Sequence, residues 1–448
     1  MLIISMIFIA IFAVLAMSMA TFSDSNVQVA INQIQANRAR GCAESGLEVV
    51  RYWLGQMAIS GTIPSDQRLE ALAEAFDATL EDRGVIGLNP SLSGDQIVIP
   101  EVSLDTATNE RFGATLSLND ADNAIQVEVT GLHGEVSRTI DVQYDFQERS
   151  NTVFDYGVAT KGPLSLSGSI EVEGVNLSVE SNAYIESTGD WIGLTMIGKS
   201  EIAGEVKIVN PLATPDIGSN ASVGGDKGED ALDHVQIGAP PCDFPEPDPA
   251  YFESYATTIM DANTDTSSDV VLSNIRIPAG LDPHFSGQVT LLGVIFIETP
   301  NVVQFSGGVD VTGIIVGDGD WTDDSGSNRI IVTGTVDSHS VSTLPAEPQY
   351  AGLHEETGTF LMAPGFALAF RGNFSTLSGA IVGNGVEFSG NAGGIIQGSV
   401  INYSDTTMTL CGNSELRFNR SGLDAMPAGF VPQLYLVYST GSYSEPTL

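Results

Sequence analysis

The first twenty-three residues, Met1 to Ser23, contain no charged side chain, no proline and no glycine. Residues 24–57 are polar but also lack proline, so nothing in them forces the chain out of a helix. At 1.5 Å per residue, the apolar run alone spans roughly 33 Å, the thickness of a bilayer's hydrocarbon core. The pattern therefore predicts one long, unbroken helix whose first half needs lipid or other apolar helices around it.

The apolar run has three interpretations: a signal peptide, a membrane anchor, or the N-terminus left after a basic leader is removed. A signal peptide needs a basic start, but the first positive charge is Arg38. The second half of the helix favours the third interpretation, because its apolar residues recur every three or four positions. This stripe comprises Ala36, Ala39, Ala43, Leu47, Val50 and Leu54. A membrane tether with a helical stalk is the alternative.

Small residues also recur inside the apolar half, at Ala10, Ala13, Ala16 and Ala20. A ridge of small side chains lets neighbouring helices approach each other closely. The spacing therefore indicates a helix that packs against copies of itself.

Residues 37–48, Asn-Arg-Ala-Arg-Gly-Cys-Ala-Glu-Ser-Gly-Leu-Glu, resemble the A-x-x-A-A-E-A-G-L-x segment of type IV pilin-like proteins of the PilX type. The resemblance covers residues 1 to about 58. It implies a leader removed before Met1, a methylated N-terminus, and helical polymerisation with the apolar helices at the filament centre. One position departs from the pattern: Ser5 stands where most major pilins carry a glutamate. Minor pilins and pseudopilins often lack that glutamate too.

The remaining sequence predicts an α+β protein that is mostly β. After the helix (residues 1–58) we expect a small α/β head (59–150), with an amphipathic helix after Pro64 and an antiparallel meander. Residues 151–448 are rich in glycine and in short β runs, which predicts a large outer domain with a proline-rich connector at 239–250. Phe305-Ser-Gly and Phe388-Ser-Gly echo each other, which favours a right-handed parallel β-helix over an antiparallel sandwich.

The net charge of −39, with only four lysines, excludes binding to nucleic acid, because phosphate recognition needs clustered positive charge. The sequence has no nucleophile elbow, HExxH or P-loop motif, and the arginines of the β region are isolated. We therefore expect no enzymatic activity and no obligatory cofactor.

One glycine-rich loop offers a candidate cation site, because alternate carboxylates on such a loop can surround a calcium ion. Its carboxylates are Asp318, Asp320, Asp323 and Asp324. The alternative is a solvated acidic loop without a ligand.

Two further sets of residues are candidates for covalent modification. Cys242 and Cys411 both lie in the β-rich region, so they either form a disulfide in an oxidising compartment or remain free thiols. Five N-x-S/T sequons offer glycosylation sites on an exported protein, at Asn176, Asn220, Asn373, Asn402 and Asn419.

Taken together, the sequence predicts a structural subunit of an extracellular type IV pilus-like filament, with the acidic β domain on its surface. Its partners would be copies of itself and, before assembly, the pilus machinery of the inner membrane. The chain would sit in that membrane first and on the cell surface afterwards. A minor or tip subunit is one alternative, and a membrane-tethered β-helix adhesin or polysaccharide-active enzyme is the other.

Overall fold

The fold is given by a computed structural model that describes residues 2–119, 123–149, 151–189, 191–322, 326–421 and 426–446. For residues 2, 5, 82 and 149 only the backbone is described. The chain divides into two compact units. The first, which we call the head, comprises residues 1–149 and 432–448, and the second, which we call the solenoid, comprises residues 150–431.

The head begins with the predicted helix, α1 (Leu2–Leu54), which is continuous over its whole length. The elements that follow are β1 (Ala58–Ser60), α2 (Arg68–Asp82), β2 (Ser91–Ser93), β3 (Gln96–Asp105), β4 (Glu110–Asn119), β5 (Ala124–His133) and β6 (Val136–Arg149). Strands β2 to β6 pair antiparallel with their neighbours in sequence, as the predicted meander requires.

The core of the head lies between its sheet and the second half of α1. Ala43, Leu47, Val50 and Leu54 are all buried there, which confirms that the stripe read from the sequence faces the sheet. The closest approach between α1 and the sheet is possible because residue 131 is a glycine. A Cβ atom on Gly131 of β5 would lie 2.1 Å from the Ala43 nitrogen and 2.2 Å from the Ala39 carbonyl oxygen.

The solenoid consists of short strands that form two arms. The first arm contains β7 (Val158–Thr160), β8 (Leu164–Gly168), β9 (Glu171–Gly174), β10 (Ala183–Ile185), β11 (Leu194–Gly198), β12 (Glu201–Ile202), β13 (Val206–Ile208), β14 (Asp216–Ile217), β15 (Ser222–Val223), β16 (Asp226–Lys227) and β17 (Val235–Ile237). The second arm contains β18 (Thr258–Ile259), β19 (Val270–Ile277), β20 (His284–Phe285), β21 (Val289–Ile297), β22 (Val302–Phe305), β23 (Val309–Gly317), β24 (Arg329–Val332), β25 (Val336–His339), β26 (Gly358–Ala363), β27 (Ala367–Phe370), β28 (Thr376–Leu377), β29 (Gly379–Gly383), β30 (Val386–Phe388), β31 (Gly394–Ile396), β32 (Val400–Asn402), β33 (Met408–Gly412) and β34 (Glu415–Phe418).

These strands stack into three sheets that enclose one apolar core. The first sheet runs β17-β13-β10-β7-β32-β29-β26-β23-β21-β19-β18, the second β14-β11-β8-β33-β30-β27-β24-β22-β20, and the third β16-β15-β12-β9-β34-β31-β28. Apart from the β15–β16 hairpin, the pairings between described strands of these sheets are parallel. The fold explains the repeated Phe-Ser-Gly motif, because Phe305 and Phe388 occupy the same position in one inward-facing ladder of the second sheet.

The order of the turns in space differs from their order in the chain. The chain enters at β7, in the middle of the first sheet, and the first arm builds outward to β17. The second arm starts at the opposite end with β18 and returns to the middle, where β32 pairs in parallel with β7. The second and third sheets close at the same place, through β33–β8 and β34–β9. We call this junction the seam.

The proline-rich connector joins the two arms. Residues 238–257, which include the connector predicted at 239–250, contribute no strand to the ladders and pack on outward-facing residues of the first sheet. Phe244 packs against the rings of Tyr184 and Tyr403, at centroid distances of 6.0 and 5.6 Å. The connector therefore covers a second apolar layer outside the main core.

The last strand, β35 (Gln433–Tyr438), belongs to the head and corrects the predicted domain boundary. It pairs antiparallel with both β6 and β1, which completes the sheet order β1-β35-β6-β5-β4-β3-β2. The outer domain therefore ends at Val431 rather than at residue 448, and the solenoid is inserted between two neighbouring strands of the head. The alternating apolar pattern of residues 433–438 fits either sheet, so it could not assign the strand to the head.

Candidate assembly surface

The first half of α1 has the largest exposed apolar surface among the described residues. Large apolar side chains from Ile3 to Ile34 all lie in solvent, including Phe12 at 67% and Met19 at 68% exposure. Isolated exposed apolar residues are ordinary, but a contiguous surface of this size marks a site of protein or membrane contact. The helix is also long and apolar enough to cross a membrane, with a mean hydropathy of 2.2 in its most apolar window.

The small-residue ridge lies within this surface. Ala10, Ala13, Ala16 and Ala20 are exposed and fall on one side of the helix at 100° per residue. Phe8 and Phe12, whose rings stack at 6.5 Å, lie beside this ridge, because Phe12 precedes Ala16 by four residues and is its neighbour on the helix surface. Met6, Ile9 and Met17 project from the same side as the alanines, so another helix can approach closely at the alanine positions of this side, which we call the smooth face.

The other residues predicted for the assembly helix fall into two groups, one beside the head and one at the start of the helix. Ala39, Ala43 and Leu47 are buried against the head, and Ala36 is half-buried where the helix leaves it, so these residues position the helix rather than contact neighbours. Ser5 lies within the helix, but its side chain is outside the described part of the structure, and Met1 is outside it altogether.

Polar groups surround the point where the helix leaves the head. Arg40 forms ion pairs with Glu44 at 3.1 Å and with Glu445 near the C-terminus at 2.9 Å. A cavity of about 310 Å³ opens beside this cluster and is lined in part by Asn37 and Arg138. Along the helix, the exposed apolar surface is therefore followed by a cluster of charged side chains at the head.

The structure describes only part of the candidate cation loop. Asp318 accepts a hydrogen bond from the Gly319 amide, and Asp320 accepts one from the Thr322 amide, so both carboxylates serve turns of their own loop. Asp323 and Asp324 lie outside the described residues. Within the described part of the chain, no three acidic, histidine or cysteine side chains are grouped as a metal site would require. Calcium binding stays a prediction.

The predicted disulfide is not formed, because Cys242 and Cys411 are both free thiols. The amide of Cys242 donates to the Tyr184 hydroxyl on the outer side of the first sheet, at 2.8 Å. Cys411 lies in β33 of the second sheet, opposite Ser167. The two cysteines thus belong to different faces of the solenoid, which their positions in the sequence did not indicate.

The five sequons differ in accessibility. Asn176, Asn220 and Asn373 are exposed and Asn419 is half-buried. Asn402 is fully buried, and its amide donates to the Thr160 hydroxyl at 3.0 Å. Glycosylation of the folded chain at Asn402 is therefore ruled out by packing, whereas the exposed sequons remain candidates.

One cluster has no counterpart in the sequence reasoning. The Lys161 ammonium lies 5.3 Å from the ring centroids of Phe244 and Tyr403, and 5.7 Å from that of Trp321. Burial raises the pKa of the nearby Glu186 carboxyl, although the positive charge of Lys161 acts in the opposite direction. The cluster joins the connector to the residues that directly follow β7 and β32, the strands that pair at the seam in the first sheet. The members of the cluster are far apart in the sequence, so no local motif predicts it.

Comparisons with known proteins add little to this geometry. No protein-family model and no curated protein matches the sequence. Among solved structures, the competence-associated pilin ComZ from Thermus thermophilus aligns over 92% of this chain and 97% of its own, with 12% identity and a TM-score of 0.27. A TM-score this low does not establish a shared fold, so the exposed helix carries the functional argument.

Proposed function

We propose that this protein is a structural subunit of an extracellular, type IV pilus-like filament. In this proposal the exposed half of α1 packs with the same helices of other copies, and the acidic solenoid faces outward. Before assembly the helix resides in the inner membrane, where the pilus machinery takes it up. The chain has no catalytic role and requires no cofactor.

The observation that supports the proposal is the exposed apolar half of α1, continuous with a half that is fixed to the head. Burying about 1,500 Å² of such surface at ~25 cal/mol per Å² provides tens of kcal/mol before entropy losses. A single membrane tether would also bury this surface. The continuous helix and the small-residue ridge favour packing between copies, because a tether needs neither.

The test is the substitution Ala13→Asp in cells that contain a pilus assembly system. A charge on the smooth face would be buried without a partner between packed helices, so we expect filaments to disappear from the sheared surface fraction in electron micrographs. The matched control is Ala107→Asp, which places the same charge on an exposed turn of the head. Normal filaments with Ala13→Asp, or membrane-bound monomers alone with the wild type, would contradict the proposal.

A second candidate is a minor or tip subunit that primes a filament built from another protein. Ser5, at the position where major pilins carry glutamate, favours it. Immunogold labelling separates the two roles: label along whole fibres supports the main subunit, whereas label confined to fibre ends supports the tip.

A further inference from the structure

We propose that a trough on the outer side of the second sheet binds a short, linear oligosaccharide that carries a carboxylate. The floor of the trough is formed by Ala367 and Ala369 of β27 and by Gly385. Arg329 of β24 and Glu387 of β30 stand on its two sides. This inference is independent of the filament, since it concerns the solenoid alone.

The trough exists because small residues lie between larger ones. Ala369 pairs in register with Ile331 on one side and with Glu387 on the other, so its methyl group is flanked by longer side chains. Although it points outward, Ala369 is only 3% exposed, which shows how far these neighbours rise above it. The resulting cavity has a volume of about 290 Å³.

A second cavity, of about 450 Å³, continues the trough around the corner of the solenoid and shares Ala367 and Gly385 with the first. The floor follows the backbone from Gly365 to Ala369, about 13 Å at the usual rise of a strand. The space is therefore elongated along one turn of the solenoid, and it suits a linear ligand better than a compact one.

The lining selects for a ligand rich in hydroxyl groups. Thr407 and Thr409 line the first cavity, and Ser404 and Thr406 line the second, next to Asp405. Backbone groups of β27 are already paired on both sides, by β24 and β30, so a peptide cannot add as a further strand. The described lining residues include no aromatic ring, which disfavours lipids and apolar peptides and leaves no surface on which nucleic-acid bases could stack.

Arg329 supplies the preference for a carboxylate. The other arginines of the solenoid, Arg276, Arg371, Arg417 and Arg420, each lie within 3.7 Å of a carboxylate oxygen. Within the described part of the chain, Arg329 has no such ion pair, although acids far outnumber bases. A guanidinium binds carboxylate through two parallel hydrogen bonds, so an acid group on a sugar satisfies it. Glu387 does not compete, because it pairs with Arg371 at 3.7 Å.

The test is titration of the full-length, detergent-solubilised chain with trigalacturonate and with its methyl ester, followed by isothermal calorimetry. We expect the acid to bind about tenfold more tightly than the ester, the gain of one charged hydrogen-bonded contact. Arg329→Gln should remove this difference between the acid and the ester. Ala369→Phe should fill the trough and abolish binding of both.

Arg417→Gln is the matched control, because it removes an arginine from the third sheet. It should leave both affinities as in the wild type, and melting curves of the variants check that each one folds. Three results would overturn the proposal: no binding of either sugar at 10 mM (roughly the weakest affinity of interest), equal binding of acid and ester, or wild-type binding by Ala369→Phe.

Discussion

Gln433 lies directly opposite Arg149 in the head sheet, as neighbours on the antiparallel strands β35 and β6. Everything between these two residues is either the solenoid or its attachment to the head. The rings of Phe154 and Phe430, near the two ends of the solenoid, are 5.1 Å apart, so the inserted unit also starts and finishes at one place. An insertion whose ends meet can be removed without stretching the sheet that carries it.

The first prediction concerns this insertion. Replacing residues 150–432 with the dipeptide Asn-Gly should join β6 and β35 as a two-residue hairpin, because opposed residues flank such turns. We expect the shortened chain to keep a cooperative thermal transition and the helical and β signals of the head by circular dichroism. A control with Pro-Pro in place of Asn-Gly should fold less well, since proline cannot adopt the turn. A shortened chain without any cooperative transition would show that the head depends on the solenoid.

The sequence predicted the parts of this fold that depend on local pattern. The apolar run and the Ala36–Leu54 stripe were sufficient to define α1 and the face it buries. Pro64 followed by apolar residues at helical spacing led to α2, and Phe305 and Phe388 indicated stacked turns. For the two helices, the residues that carry the signal lie close together in the chain and their burial follows a fixed period. Phe305 and Phe388 are far apart, but each begins the same short Phe-Ser-Gly motif, so the repeat itself could be recognised.

The sequence did not predict the features that depend on long-range pairing. Val400 pairs with Val158 at the seam, and Leu434 of the last strand pairs with Glu148. Nothing near these residues indicates their partners, because any alternating strand can extend any sheet edge. The trough beside Arg329 was missed for the same reason, since its walls come from separate turns of the solenoid.

The second prediction concerns the contact between α1 and β5. Gly131→Ala would place a methyl group about 2 Å from backbone atoms of Ala39 and Ala43, which are too rigid to move aside. We expect a loss of about 3 kcal/mol or more in the free energy of unfolding of the head, measured by chemical denaturation. Gly113→Ala on the next strand is the control. A Cβ atom there would come no closer than 3.4 Å to any neighbouring atom, the nearest being the Ile99 carbonyl oxygen. Equal stability of both variants would disprove the close packing.

The third prediction concerns the seam of the solenoid. Leu166 and Leu410 face each other across it, and both are fully buried. Leu166→Ala should lower the stability of the solenoid by about 3 kcal/mol, because it leaves a cavity where the two arms meet. Ser165→Ala, one residue away on the outer side, should change it by less than about 0.5 kcal/mol. Denaturation followed by tryptophan fluorescence measures both, and similar midpoints would count against a shared core at the seam.

The fourth prediction concerns a ladder of glutamates on the third sheet. Glu415, Glu171 and Glu201 are neighbours in register on successive strands, so their carboxylates repel one another. Burial, followed by the charges of these three residues, raises the pKa of the adjacent Glu173 carboxyl. The native solenoid therefore binds a proton there more tightly than the unfolded chain does. This contribution to stability is present at low pH and is lost as the pH rises through the native pKa.

Lowering the pH from 7 to 5 should therefore raise the melting temperature of the solenoid, and Glu201→Gln should reproduce part of that gain at pH 7. We expect about 1 °C from this substitution, since removing one repulsive neighbour is worth a few tenths of a kcal/mol. Glu355→Gln is the control, because Glu355 is exposed and lies outside the strand ladders. The ladder would have no energetic role if Glu201→Gln melted at the wild-type temperature at pH 7 and kept the full pH dependence. In that case the repulsion between these carboxylates must already be relieved by solvent, and the raised pKa of Glu173 would follow from its burial alone.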